Sequence, residues 1–151
     1  MVVAFTYAQA LALVGSGVPS HLTAELEVPI LTGVQAQGDL LVFPAEAPAD
    51  VRWQLVPADG GQLIRSEATG NTHWLHQDVD SRAVRWAEPE LEQIWNDDLA
   101  QRLAYVHVPD GEAALLIHTE EHGANGLGPG IYAINRKREA DAEYRQRLLE
   151  D

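Results

Sequence analysis

From residue 39 onward, apolar and polar side chains alternate in short runs, and turn residues interrupt them at intervals of roughly 8–12 positions. Asp39 to Phe43 is a compact apolar run closed by the Pro- and Ala-rich stretch Pro44 to Asp50. Val51 to Val56 alternates apolar with polar, and Pro57-Ala-Asp-Gly-Gly61 follows as a turn. Gln62 to Ala68 and Thr72 to Gln77 read as a hairpin joined through Thr69-Gly70-Asn71. Ala83 to Ala87 is a further strand. Leu103 to Val108 and Ala113 to His118 read as a second hairpin around Pro109-Asp-Gly111, and Ile131 to Asn135 is the last strand. This spacing predicts a mainly β fold, an antiparallel sandwich or small barrel, and no alternating α/β units.

Helical spacing is confined to a few places. Thr6 to Val14 reads as a short helix, because Thr6 and Gln9 fit a capping box and Gly15 and Gly17 supply a stop. Val18 to Leu31, bracketed by Pro19 and Pro29, fits a helical turn followed by a strand, and Gly33 to Gly38 reads as a turn. Pro89 to Gln101 places Leu91, Ile94, Trp95 and Leu99 at helix-like intervals. Glu139 to Asp151 is highly charged and is either a solvated helix or a mobile tail. The expected organisation is an N-terminal extension over 1–36, a β domain over 37–138 and a charged tail over 139–151.

Charge and composition narrow the partners. The 151 residues include 23 acidic and 10 basic ones, for a net charge of −13 with histidine neutral. A nucleic-acid partner is not expected, since no basic stripe is present to displace counterions from phosphates. The same balance repels anionic membranes. Zero cysteines exclude disulfides, thiolate metal sites and cysteine nucleophiles. No basic residue precedes Arg52, and the apolar run Ala8 to Val14 is far shorter than the ~20 residues a bilayer span requires. The reading is a cytoplasmic protein, or one incorporated in a particle, without signal peptide or transmembrane segment.

The histidines carry the candidate chemistry. His73 and His76 sit on one strand three residues apart, so they point to opposite faces and do not share a site. His73, His118 and His122, with Glu121 or Glu120, can converge if the two hairpins pack together, and such a set suits a transition-metal ion. No HExxH motif fixes that geometry, and ordinary hydrogen-bonded histidines are the competing reading. The glycine-rich run Gly123 to Gly130 lacks a Gly-Lys-Ser/Thr ending and reads as structural. No serine sits in a nucleophile elbow. Trp53, Trp74, Trp86 and Trp95 read as core anchors, any exposed one being a protein-contact hot spot.

Several of these segments occur in a familiar order: Gln37-Gly38-Asp39, then Glu67-Ala68-Thr69-Gly70-Asn71-Thr72-His73, then Glu120-Glu121-His122, then Pro129-Gly130-Ile131-Tyr132 before Arg136-Lys137-Arg138-Glu139. Over Gln37 to Glu139 the chain resembles small, largely uncharacterised bacterial and phage proteins with Gln-Gly-Asp, Glu-x-Thr-Gly-His-x-His and His-x-Glu-His segments. Two histidines of that pattern are altered: Asn71 replaces the first of one segment, and Thr119 stands at the start of the other with His118 displaced by one. His73 and His122 match. The degraded histidine set and the absence of catalytic motifs imply a non-enzymatic binding or structural module acting through protein–protein contacts. Phe5, Leu11 and Leu13 in residues 1–36 are expected to make a contact of their own, with a protein partner, a second copy or one edge of the β domain. The alternative is a metal-dependent enzyme on a cupin-like or sandwich scaffold, with His73, His118, Glu121 and His122 at the metal.

Overall fold

The computed structural model describes residues 5–14, 26–63, 73–89, 100–118 and 123–137. The helix expected over 89–101 and the charged tail lie outside these residues, apart from Pro89 and the start of a strand at Ala100. The fold is a mainly β sandwich of two sheets with one short N-terminal helix. Among the described residues no helix is long and apolar enough to cross a membrane.

Eleven strands are described: β1 (Ile30–Leu31), β2 (Gln35–Gln37), β3 (Leu40–Pro44), β4 (Gln54–Leu55), β5 (Gly61–Gln62), β6 (His73–Gln77), β7 (Arg85–Ala87), β8 (Ala100–Val108), β9 (Ala114–His118), β10 (Ala124–Leu127) and β11 (Gly130–Lys137). One sheet has the order β1-β10-β9-β6-β5, the other β2-β3-β11-β8-β7-β4. Every pairing is antiparallel except that of β1 with β10. Between the sheets lies a core built from Leu40, Val42, Val106, Val108, Tyr132 and Ile134 on one side and Leu75, Leu116 and Leu127 on the other.

Helix α1 (Tyr7–Ala12) is capped as its sequence predicts: Gln9 N–H donates to Thr6 Oγ1 and Thr6 N–H to Gln9 Oε1. It packs against β9 and β10, on the outer face of the five-stranded sheet. There Ala10, Leu11 and Val28 bury Leu115 and Ile117, with Phe5, Tyr7 and Val14 at the margin. Strand β9 is therefore buried on both faces, which is why its sequence is a continuous apolar run without alternation.

Four sequence expectations change. β8 and β9 are not a hairpin, because β8 belongs to the six-stranded sheet and β9 to the five-stranded one. The turn at Pro109–Glu112 does form, with Glu112 N–H donating to Pro109 O. Beyond it Ala113 N–H donates to Ser81 Oγ, while Glu112 Oε1 accepts from Arg82 and Ala83 N–H. These bonds pull the chain over to the opposite sheet, where both inner apolar faces are buried. Within Gly33 to Gly38, residues 35–37 are strand β2, and the turn shrinks to Gly38-Asp39, with Gly38 at φ 60° as a two-residue hairpin requires. The Gly123–Gly130 run contains strand β10, and Gly126 lets β1 approach it closely: a Cβ there would lie 2.5 Å from Pro29 O. The strand expected over 51–56 is reduced to Gln54–Leu55.

Candidate functional site

The tight turn at Gly38-Asp39 sets Gln37 and Asp39 at the end of the sandwich that β6, β9 and β10 also reach. Gln35 and Gln37 share the inner face of β2, and both are buried. Gln35 Nε2 donates to Gly126 O (2.8 Å) and Gln37 Nε2 to Leu116 O (2.8 Å). Backbone carbonyls only accept, so these two bonds fix the orientation of both amides. Gln37 Nε2 also donates to Asn125 Oδ1 (2.9 Å), and Asn125 Nδ2 donates to Gln35 Oε1 (3.2 Å). The remaining acceptor, Gln37 Oε1, meets His73 Nδ1 at 2.9 Å. The proton of that bond must come from His73, so Nδ1 carries hydrogen and Nε2 is turned toward Asp39 Oδ1, 3.7 Å away. Asp39 Oδ2 in turn accepts from Arg136 Nε at 3.3 Å.

His73 and His118 are partners across β6 and β9. His73 O accepts from Leu63 N–H on one side, and His118 N–H donates to Gly123 O on the other. Their backbones therefore point apart, making the pair non-hydrogen-bonded, the kind in which side chains come closest. The rings lie 4.3 Å apart between centroids at 47°. Both share the inner face with Leu75 and Leu116 and are buried. Of the four sequence-predicted ligands, the structure brings these two together; Glu121 and His122 lie outside the described residues, as does His21. Among the described residues no group of three or more His, Asp or Glu side chains is placed to hold a metal ion.

His76 lies on the opposite face of β6, as alternation requires. Its ring packs on Gly60, and among the described residues Nε2 meets no hydrogen-bond partner. Burial pushes its pKa below the ordinary histidine value, and nearby Asp59 partly offsets this. Asp78, also buried, accepts from Phe5 N–H (3.2 Å) and Val79 N–H (2.7 Å) and so anchors the start of the N-terminal arm. Burial raises its pKa against the pull of those two bonds, and Glu27 adds to the rise. Neither Gln37 nor Asp78 announces its role in the sequence, since each bonds a group more than 30 residues away.

The outer face of the six-stranded sheet is chemically distinct. One cross-strand row runs Leu55, Arg85, His107, Ile131. The next runs Ala87, Tyr105, Ala133, Phe43, and a third Arg102, Asn135, Leu41, Ala36. No carboxylate occurs in the three rows, although the chain has 23 acidic residues. The Arg102 guanidinium lies 5.5 Å from the Phe43 ring centroid and 5.2 Å from that of Tyr105, spanning Ala133 between them. Its Nε donates to Asn135 Oδ1 and its Nη1 to Tyr105 Oη. Trp53 packs on His107 with centroids 5.8 Å apart. Trp86 points the other way, into the core against Gly61. Around the sheet margin, a cavity of about 520 Å³ is lined by both Arg52 and Glu88, so it presents no single sign of charge.

No curated protein and no solved structure matches the chain. One family profile does, over residues 36–137, which reach from β2 and its Gln37 through the histidine pair to the end of β11. The chain belongs to the DUF8820 family, a domain of unknown function.

Proposed function

We propose that the chain is a non-enzymatic binding module that acts through protein–protein contacts made by its N-terminal 36 residues. The observation that carries this reading is the run from Leu26 to Val34, where Leu26, Leu31 and Val34 are 59%, 51% and 66% exposed. Leu31 lies in β1 and Val34 just precedes β2, and each of these strands forms one edge of its sheet. Outermost strands present backbone N–H and C=O groups that another chain can pair with. Glu27 is the one charged residue between Leu26 and Gly38, so two copies of this acidic chain repel least there. A second copy, paired edge to edge, is the partner the segment suits, and the same contact repeated suits a component of a bacterial or phage particle. Hydrogen exchange tests it: protection over residues 26–37 should rise with protein concentration. Protection that stays constant from micromolar to millimolar protein contradicts it.

A second reading, a metal-dependent enzyme, is favoured by one observation. Gln37 holds His73 by Nδ1, the restraint on the outer nitrogen that metal-binding imidazoles commonly carry. On this reading His73 and His118, joined by Glu121 and His122, hold a transition-metal ion. Metal analysis of protein purified without an affinity tag should then give one equivalent, lost in the His73→Ala, His118→Ala double variant. Metal-free protein after incubation with zinc, manganese, iron and nickel removes the reading.

A further inference from the structure

We propose that Asn125 is a site of spontaneous covalent modification: its amide is hydrolysed through a cyclic imide closed by the Gly126 nitrogen, and the product loosens β1 and β2 from β10. The fold itself demands the reactive pair. Position 125 must both accept from Gln37 Nε2 (2.9 Å) and donate to Gln35 Oε1 (3.2 Å) and Ala36 O (3.4 Å), which an amide does and a carboxylate cannot. Position 126 must be glycine, because a Cβ there would lie 2.5 Å from Pro29 O and 3.1 Å from Ile30 Cα. Asn125-Gly126 is the one Asn-Gly pair in the chain, and glycine leaves its amide nitrogen open to the preceding side chain. The inference concerns how β1 and β2 are held and does not depend on what residues 26–34 contact.

While the strands are paired, the reaction is blocked at both atoms. The Asn125 amide is held across the sandwich by Gln35 and Gln37, and Gly126 N–H is committed to Pro29 O at 3.1 Å. β1 is an edge strand of two residues, so it opens locally far more often than the domain unfolds. Once it is open, hydroxide takes the Gly126 amide proton, the nitrogen bonds to Asn125 Cγ, and the Cγ–Nδ2 bond breaks to release ammonia. Water then opens the imide. Cleavage between Cγ and the Gly126 nitrogen gives aspartate, and cleavage between the Asn125 carbonyl carbon and that nitrogen gives isoaspartate. The net change consumes water, releases ammonia and needs no oxidant. Aspartate lacks the donor that faces Gln35 Oε1 and Ala36 O and sets a negative charge against both oxygens. Isoaspartate lengthens the backbone by a methylene, which breaks the register of β10 with β1 and β9. Only Thr32-Gly33-Val34 separates β1 from β2, so the two strands loosen together.

The test ages the full chain in mildly alkaline buffer at one dilute concentration and maps its peptides by mass spectrometry, with aspartyl and isoaspartyl forms separated by chromatography. Asn125 should convert to both products about ten- to a thousandfold more slowly than in the same chain unfolded in guanidinium chloride. Conversion as fast as in the unfolded chain shows that the strands do not guard the site, and no conversion shows that they never open to it; either result overturns the proposal. Hydrogen exchange at Gly126 and Gly128, whose N–H groups donate to Pro29 O and Leu31 O, reads the consequence. It should be about tenfold faster in the aspartyl fraction of aged wild type and in Asn125→Asp, while the β8–β11 ladder keeps its protection. Asn125→Gln closes the corresponding ring far more slowly and should age without change at position 125 or in these two amides. Unchanged exchange in the aspartyl fraction, or ageing that speeds exchange equally in Asn125→Gln, overturns the proposal.

Discussion

Gln37 Oε1 accepts the Nδ1 proton of His73 across the sandwich at 2.9 Å, and this single bond determines which nitrogen of the histidine faces Asp39. The bond is directional because Gln37 Nε2 is committed to Leu116 O and Asn125 Oδ1. One side chain of the six-stranded sheet thereby holds three strands of the other.

Gln37→Leu should destabilise the domain by about 2–5 kcal/mol, since it leaves His73 Nδ1, Leu116 O and Asn125 Oδ1 without this partner in a buried setting. Urea denaturation measures it through the shift in midpoint. A loss under about 1 kcal/mol would mean that water or a rearranged Asn125 replaces the amide.

The limits of the sequence are visible in these same residues. Strand β3 was legible because its apolar residues alternate between a buried and an open face and a Gly38-Asp39 turn precedes it. That β8 and β9 lie in different sheets was not legible, because the Pro109–Glu112 turn is the same locally in a hairpin and in a crossover. Strand β10 was hidden by its glycines, which reflect the close approach of β1 rather than a loop. His73 and His118 could be named as neighbours in a packed pair of strands, but the lock on His73 could not. It comes from Gln37, 36 residues earlier, and has no local signature.

Gly126→Ala tests the account of β10. The added methyl would sit 2.5 Å from Pro29 O and 3.1 Å from Ile30 Cα, both backbone atoms that cannot rotate away. β1 must shift outward, at a cost of about 1–3 kcal/mol. Amide exchange at Gly126, whose N–H donates to Pro29 O, should speed up, while the β8–β11 ladder keeps its protection. Uniform loss of protection across both sheets would contradict this.

Acidification acts through His76 and Asp78 with opposite signs. The folded pKa of His76 lies below its unfolded value, so its contribution is complete above the ordinary histidine pKa and is lost as pH falls through the lowered one. The folded pKa of Asp78 is raised, so its contribution is complete below the ordinary carboxylate value and is lost as pH rises through the raised one. His76→Leu should therefore reduce the stability difference between about pH 7.5 and about pH 5, with denaturant midpoints as the readout. An unchanged difference would show that the ring charges without cost in its buried place.

Sedimentation equilibrium tests the central claim, contact between chains through residues 26–34, most directly. The wild-type chain should show a dimer fraction that grows with concentration. Leu31→Lys and Val34→Lys, both at exposed positions, should sediment as monomers with an unchanged denaturation midpoint. A wild-type chain that stays monomeric from micromolar to millimolar concentration, or variants that associate as tightly as wild type, would contradict it.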